Sequence, residues 1–189
     1  RKQIKAAGGL YQGTCRNLQL AAEPNAIRLK LDNAITAFED GIFGAVQVDK
    51  GFANEDFIIK RRDGLFAYQL VVVIDDIDQG ITEVVRGADI MELTCRQLSL
   101  FRLFGMKAPN FVHLPLAVTE PGFKLSKQNH AKAVNIQQPI PELLQALAFL
   151  GLPLQQEPDL ASGSVSQIIN WATANWQLTR VPRQQEIQV

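Results

Sequence analysis

Two lysines and a serine stand close together in the segment Lys124–His130, at a spacing suited to binding phosphate groups. Lys124, Ser126 and Lys127 follow an apolar stretch and a Pro-Gly turn. A lysine side chain acts toward phosphate oxygens as a mobile point charge. The segment therefore predicts a cationic loop for a polyphosphate ligand, and the alternative is an ordinary exposed basic loop.

A second group of polar residues lies between Asp63 and Asp89. Arg86 follows the apolar strand predicted over 81–85, and open α/β folds bind ligands at the C-terminal edge of a parallel sheet. The hydroxyl of Tyr68 could share an anionic ligand with that guanidinium. These two residues predict an anion site.

The composition is that of a folded chain without a strong net charge. Of 189 residues, 47% are hydrophobic and 20% charged, and Lys plus Arg balances Asp plus Glu at 19 each. This excludes a disordered chain and a global field for nucleic acid. An RNA contact would need a local cluster such as Lys60–Arg62, for which the alternative is a solvated strand end.

No apolar run approaches the roughly 20 residues that cross a bilayer. No signal peptide is recognisable, so we expect a cytoplasmic protein without a membrane partner. The two cysteines, Cys15 and Cys95, are too few for a disulfide framework. Cys95 is expected to be a small residue at a helix start, and His113 to cap or orient a strand.

The secondary-structure elements expected to position these residues change along the chain, from strands in the first part to helices in the last. Strands are predicted over 26–31, 41–48 and 56–60 from alternating apolar residues. The apolar run 70–74 fits either a strand or a buried helix. About the first fifty residues are therefore expected to form a small β-rich unit.

The middle of the chain has the order strand, helix, strand that is typical of a parallel sheet. A capping-box spacing from Thr94 to Gln97 predicts the helix, and residues 112–118 supply the second strand. Apolar stripes over 143–150 and 165–176 predict two helices in the last part. The first of these should end at Gly151, and the second should begin at Ser162 or Ser164.

Five motifs in a fixed order resemble the glutamyl-tRNA synthetase group of class I aminoacyl-tRNA synthetases. They are DFIIKRRDGLFAYQL, GITEVVRGADI, RQLSLFRLFG, HLPLAV and KLSKQNHA. KLSKQ matches the second class I signature, usually KMSKS, with Leu125 for Met and Gln128 for the last Ser. The resemblance runs over about residues 1–178.

The resemblance implies an α/β fold, the second half of a class I Rossmann-type catalytic domain. Residues 1–52 would be a β region that binds zinc and contacts an RNA stem. Residues 53–130 would be the half-domain with the KMSKS-like loop, and residues 131–189 a helical C-terminal region.

The short remainder after the lysine loop points to the glutamyl-queuosine branch of the group, because the tRNA-charging members continue into an anticodon-binding domain. This branch implies activation of L-glutamate with ATP and Mg²⁺. Glutamate would then pass to queuosine at the wobble position in the anticodon stem-loop of tRNA(Asp), by a monomer. A truncated glutamyl-tRNA synthetase that charges the 3′ end, and a non-catalytic RNA-binding module, stay open.

The resemblance also assigns roles to individual residues. L-glutamate would be bound by Tyr68 and Arg86. ATP would be bound by Lys124, Ser126 and Lys127, and Lys127 would be catalytic because it stabilises charge on the transferred phosphoryl group.

The family's zinc ligands are a Cys-x-Cys pair, a tyrosine and a cysteine, and the last two fall on Tyr11 and Cys15. The pair, the HIGH-type signature and an acidic residue that binds the glutamate ammonium would all precede Arg1. Structural Zn²⁺ prefers four ligands. We therefore expect a partial zinc site and no catalysis by these residues alone.

Overall fold

Short strands and helices form where apolar residues alternate or repeat, and tight turns join them. The computed structural model describes residues 9–11, 13–126 and 129–189. The chain divides into two units. The first holds the residues up to Asp40 with Gly44–Val85 and Ile90–Val112, and the second holds Gly41–Phe43, Arg86–Asp89 and His113–Val189.

The strands are β1 (Ile27–Leu29), β2 (Ala37–Asp40), β3 (Gly44–Gln47), β4 (Phe57–Lys60), β5 (Glu83–Gly87), β6 (Asn110–Leu114), β7 (Leu116–Glu120), β8 (Phe123–Lys124) and β9 (Glu186–Gln188). The helices are α1 (Lys50–Ala53), α2 (Tyr68–Asp78), α3 (Thr94–Leu103), α4 (Pro139–Phe149) and α5 (Val165–Asn175).

Two sheets contribute strands to the first unit. β1 pairs antiparallel with β4, which confirms the strands predicted over 26–31 and 56–60. A second sheet has the order β3-β2-β6-β5, antiparallel between β2 and β3 and parallel between β2 and β6. The strand predicted over 41–48 is shorter than expected, because residues 41–43 form the turn between β2 and β3.

The ambiguous run 70–74 lies within helix α2. Val73 is fully buried and shares a core cluster with Leu100 and Phe101 of α3. Contacts with that cluster outweigh the modest preference of β-branched residues for strands.

Helix α3 begins at Thr94 as predicted, but the predicted capping box is wrong. Its N-cap is Leu93, which has helical backbone angles and no side-chain cap bond. The N–H groups of Leu93 and Thr94 donate to the carbonyls of Ile90 and Met91, at 3.1 Å each. Carbonyl groups of the preceding helical turn thus accept the hydrogen bonds of the first N–H groups. Thr94 and Gln97, the residues of the predicted capping box, are buried within the helix.

In the second unit, the strand predicted over 112–118 is two strands separated at Pro115, which has no N–H for a ladder bond. β7 pairs antiparallel with β8 and parallel with β9. Strand β9 corrects the prediction that residues 131–189 are helical. Its single apolar residue, Ile187, gives too short an alternation to be detected in the sequence.

The two predicted C-terminal helices are confirmed. α4 and α5 pack through a core that includes Leu147 and Ile168. Ser164 caps α5 in a capping box with Gln167. Gly151 follows α4 with a φ of +83°, and a Cβ at this position would collide with the carbonyl oxygen of Arg180. None of the helices in the described part of the chain combines the length and apolar character of a membrane span.

Candidate active site

The predicted anion-binding arginine is held by a buried histidine. Arg86 lies near the end of β5 and is half-buried. Its Nε donates a hydrogen bond to Nε2 of His113 at 3.0 Å. His113 lies on β6 and is fully buried. The prediction that His113 orients a strand missed its hydrogen bond to the arginine.

An ion pair links the segment after Arg86 to the predicted phosphate loop. Lys124 Nζ lies 2.7 Å from Asp89 Oδ2, and both side chains are partly exposed. A Cβ on Gly87 would lie 2.8 Å from Asp89 Oδ1. Glycine therefore leaves room for the carboxylate that Lys124 contacts.

Asn129 is hydrogen-bonded to two described residues of the KMSKS-like segment, Lys124 and Ser126. Asn129 Nδ2 donates to the carbonyl of Lys124 at 2.7 Å, and Asn129 N–H donates to the carbonyl of Ser126 at 3.1 Å. Ser126 Oγ also lies 3.3 Å from that N–H. Lys127, the predicted catalytic residue, lies outside the described residues.

Tyr68 is the first residue of α2, and its side chain is 55% exposed. It belongs to the first unit, whereas Arg86 belongs to the second. The proposed pairing of the two residues around one ligand therefore stays a prediction.

Tyr11 and Cys15, the predicted zinc ligands, are in contact. The Tyr11 hydroxyl accepts a hydrogen bond from the Cys15 N–H at 2.7 Å. Hydrogen bonds with Tyr11 and then Thr14, and the charge of Arg28, lower the pKa of the exposed Cys15 thiol from its ordinary value. A lower pKa favours the thiolate, which is the form that binds metal ions.

An ion pair between two largely buried side chains anchors this turn within the first unit. Glu55 Oε1 accepts a hydrogen bond from the Tyr11 N–H at 2.8 Å, and Glu55 Oε2 accepts one from Arg96 at 2.7 Å. Arg96 is 8% exposed and stacks over Phe52, 3.9 Å from the ring centre. Arg28 covers the Tyr11 ring at 4.1 Å.

The two residues have the right chemistry for zinc but do not complete a site. Among residues 9–11, 13–126 and 129–189, no three His, Cys, Asp or Glu side chains are grouped closely enough to hold a metal ion. A cavity of about 520 Å³ lies beside the turn, and Tyr11, Cys15, Arg28 and Asp56 are among its lining residues.

The basic triplet Lys60–Arg62 lines a separate cavity of about 300 Å³. Arg61 pairs with Asp63 at 2.5 Å, and Arg62 Nε donates to the carbonyl of Pro24 at 2.9 Å. Two of the three cations thus already have partners within the first unit, and an RNA contact at this triplet stays a prediction.

The sequence analysis missed two residues of the candidate site, His113 and Asp89. Both lie within motifs of the resemblance, HLPLAV and GITEVVRGADI. Their partners are 27 and 35 residues away along the chain. Residue spacing alone gives no signal for contacts at such separations.

Comparisons with known proteins find the same family that the order of motifs predicts. Residues 3–176 match the family "tRNA synthetases class I (E and Q), catalytic domain". The chain is 50% identical over 187 residues to the Glutamyl-Q tRNA(Asp) synthetase of Vibrio parahaemolyticus, covering 99% of this chain and 62% of that protein. It is 54% identical to the protein of the same name from Shewanella amazonensis, with the same coverage.

A solved structure shares the fold. The glutamate-tRNA synthetase from Elizabethkingia anophelis superposes with a TM-score of 0.67 at 22% identity, covering 99% of this chain and 45% of that one. The chain thus has the α/β fold of a class I synthetase catalytic domain, and it spans 62% of the two named relatives. The family match over most of its length confirms the predicted resemblance: the chain belongs to the class I tRNA synthetases for glutamate and glutamine.

Proposed function

We propose that this chain belongs to an enzyme that activates L-glutamate with ATP and transfers it to queuosine in tRNA(Asp). The observation that carries the proposal is the identity of 50% and 54% to two Glutamyl-Q tRNA(Asp) synthetases over 99% of the chain. The Arg86–His113 pair and the Lys124–Asp89 pair support it, because they provide a fixed cation beside a lysine-bearing loop. The enzyme would act as a monomer.

Arg86 would bind the glutamate side chain. In activation, the α-carboxylate of glutamate attacks the α-phosphorus of ATP, so the side-chain carboxylate is the one left for recognition. An arginine reads a carboxylate through two parallel N–H bonds. The hydroxyl of Tyr68 would contribute to the same pocket.

The loop that includes Lys124, Ser126 and Lys127 would bind the phosphates of ATP. As the new bond from the carboxylate oxygen to the α-phosphorus forms, the bond to the β-phosphate bridge breaks and pyrophosphate leaves with Mg²⁺. Lys127 would stabilise the charge that builds on these oxygens. A queuosine hydroxyl in the anticodon stem-loop then attacks the glutamyl carbonyl and releases AMP.

Lys124 has a partner that ATP would have to share or displace. An exposed ion pair contributes about 0–1 kcal/mol, so a polyphosphate can replace Asp89 at small cost.

Tyr11 and Cys15 would contribute to a structural zinc site, which requires two further ligands.

The proposal is tested by supplying a protein that carries this chain with ATP, labelled glutamate and purified tRNA(Asp). We expect label on tRNA(Asp) that contains queuosine and none on the same tRNA with guanosine at the wobble position. After ribonuclease digestion of the product, the label should lie in the anticodon fragment and not in the 3′-terminal fragment. Labelling of the 3′ end of tRNA(Glu) would favour a glutamyl-tRNA synthetase, and binding without labelling would favour a non-catalytic module.

The role of Lys127 is tested in the exchange of pyrophosphate into ATP by a longer protein that carries this chain. Lys127→Ala should lower kcat by roughly 10²–10³-fold, the usual scale for one electrostatic stabiliser, and leave the KM for glutamate nearly unchanged. Lys132→Ala, an exposed lysine nearby, is the matched control. Equal effects in both variants would contradict the assignment.

A further inference from the structure

The bond between Arg86 and His113 defines the protonation state of the histidine ring. The Nε of an arginine carries a proton at every pH at which proteins are folded, so it can only donate. His113 Nε2, 3.0 Å away, must therefore accept. A ring that accepts at Nε2 is neutral and carries its proton on Nδ1.

Burial makes this bond costly to lose. His113 has no exposed surface, and Arg86 is half-buried beside it. An unpaired polar group in such a place loses its hydration without compensation. The two side chains come from β5 and β6, so the strands set the distance between them.

The position of the bond on the guanidinium matters for ligand binding. A bond at Nε fixes the rotation of the guanidinium plane about its link to the side chain. A bidentate contact with a carboxylate requires that plane to point at the ligand. A histidine at this position pre-orients the arginine before the ligand arrives.

We propose that His113 is the positioning residue for Arg86, and that its neutral ring holds the guanidinium in the orientation that binds a carboxylate. The part about the carboxylate rests on the proposed function. The part about orientation rests on the geometry alone. His113 itself touches neither substrate nor reacting atoms in this proposal.

The orientation is tested by nitrogen-15 NMR of the side chains of the whole chain. The sequence has two histidines, so His130→Gln assigns the remaining ring signals to His113. We expect a protonated Nδ1, an accepting Nε2 and an Nε–H signal of Arg86 that is protected from exchange, assigned by its loss in Arg86→Lys. A protonated Nε2 at His113 would overturn the proposal.

Two polar replacements separate orientation from mere folding. Glutamine can place its side-chain oxygen near the position of Nε2, whereas asparagine reaches only the position of Nδ1. His113→Gln should keep the protected Arg86 Nε–H signal, and His113→Asn should lose it while the backbone spectrum stays folded. Retention in both variants, or loss in both, would contradict the proposal.

Glutamate is then titrated into the same variants of a longer protein that carries this chain, while the Arg86 signal is followed. The wild type and His113→Gln should bind with similar affinity, and His113→Asn should bind about 10- to 100-fold more weakly, the usual range for loss of an orienting group. Equal affinity in all three would overturn the positioning role. No response of the wild type to glutamate would instead contradict the proposed function at Arg86, while the signals above still decide the orientation.

Discussion

The Arg86–His113 pair and the Tyr11–Cys15 pair are both parts of proposed sites, but different structures hold them. The first pair joins two neighbouring strands, and its histidine is fully buried. The second pair lies on an exposed turn. The turn is fixed by a hydrogen bond from Tyr11 N–H to Glu55, and by the Arg28 guanidinium over the Tyr11 ring.

The difference shows where each site gains its rigidity. Strand pairing sets the spacing of Arg86 and His113, and their side chains are joined by a hydrogen bond. The turn with Tyr11 has no such ladder, and a largely buried carboxylate, that of Glu55 with its side chain 12% exposed, joins it to Arg96 in α3. A change in a buried partner should therefore affect the exposed pair more than a change on the surface.

The largest effect is expected from removing that buried carboxylate. Glu55→Ala leaves Arg96, whose side chain is 9% exposed and whose Nε already has no partner among the described residues, without its ion pair. Breaking such a pair costs about 3–5 kcal/mol of unfolding free energy. Urea unfolding measures the loss. Glu55→Gln removes the charge and keeps one of the two acceptor oxygens, so an equal loss in that variant would mean that charge, and not hydrogen bonding, anchors the turn.

At the strand-built site, the expected change is in ligand binding. Arg86→Ala should weaken glutamate binding by about 2–4 kcal/mol, because the ligand charge is left unpaired. The KM for glutamate in pyrophosphate exchange should thus rise roughly 30- to 1,000-fold with a smaller change in kcat. Arg183→Ala is the matched control, since this arginine is exposed. A loss mainly in kcat would place Arg86 at the reacting phosphate.

The same contrast explains what could be predicted from the sequence. Strands β1 and β4, the cap at Ser164 and the glycine after α4 follow from patterns within a few residues. The capping box at Thr94 was wrong because a preceding turn had already bonded the N–H groups. Strand β9 was missed because its pairing with β7 joins distant parts of the chain.

The residues of the candidate site also differ in whether the sequence alone reveals them. Arg86, Tyr68 and the lysine loop are predicted site residues because of their motifs, whereas the contacts of His113 and Asp89 depend on the tertiary structure. A motif indicates candidate ligand-binding residues, but the partners that these candidates contact become visible only when the strands are brought together.

The exposed turn should differ from the core in thiol reactivity. Because the pKa of Cys15 is lowered, its thiolate fraction and alkylation rate at neutral pH should exceed those of an ordinary cysteine. Burial raises the pKa of Cys95 to about 11, so Cys95 should react only after unfolding. Tyr11→Phe removes the hydrogen bond that contributes most to the lowered pKa of Cys15, so alkylation of Cys15 should slow. The alkylation rate is measured by mass spectrometry as a function of pH. An unchanged rate would show that Tyr11 does not activate the thiol.

The smallest effect is expected from the surface pair Lys124–Asp89. Asp89→Asn should change the unfolding free energy by no more than about 1 kcal/mol, because the pair is exposed and screened by salt. Its effect on ATP affinity is more informative. If Lys124 binds phosphate, Lys124→Met should raise the KM for ATP, whereas Asp89→Asn should leave it unchanged or lower it. Equal increases in the KM for ATP in the two variants would indicate that Lys124 holds the loop in place through Asp89 and does not bind phosphate.

The most direct test of the account is a crystal structure of a protein that carries this chain, with a non-hydrolysable glutamyl-adenylate analogue. We expect the side-chain carboxylate of the analogue on the guanidinium of Arg86, with Arg86 Nε still bonded to His113 Nε2. The phosphate mimic should lie against the loop that begins at Lys124. An analogue whose carboxylate contacts another cation, with Arg86 turned away from His113, would contradict the account.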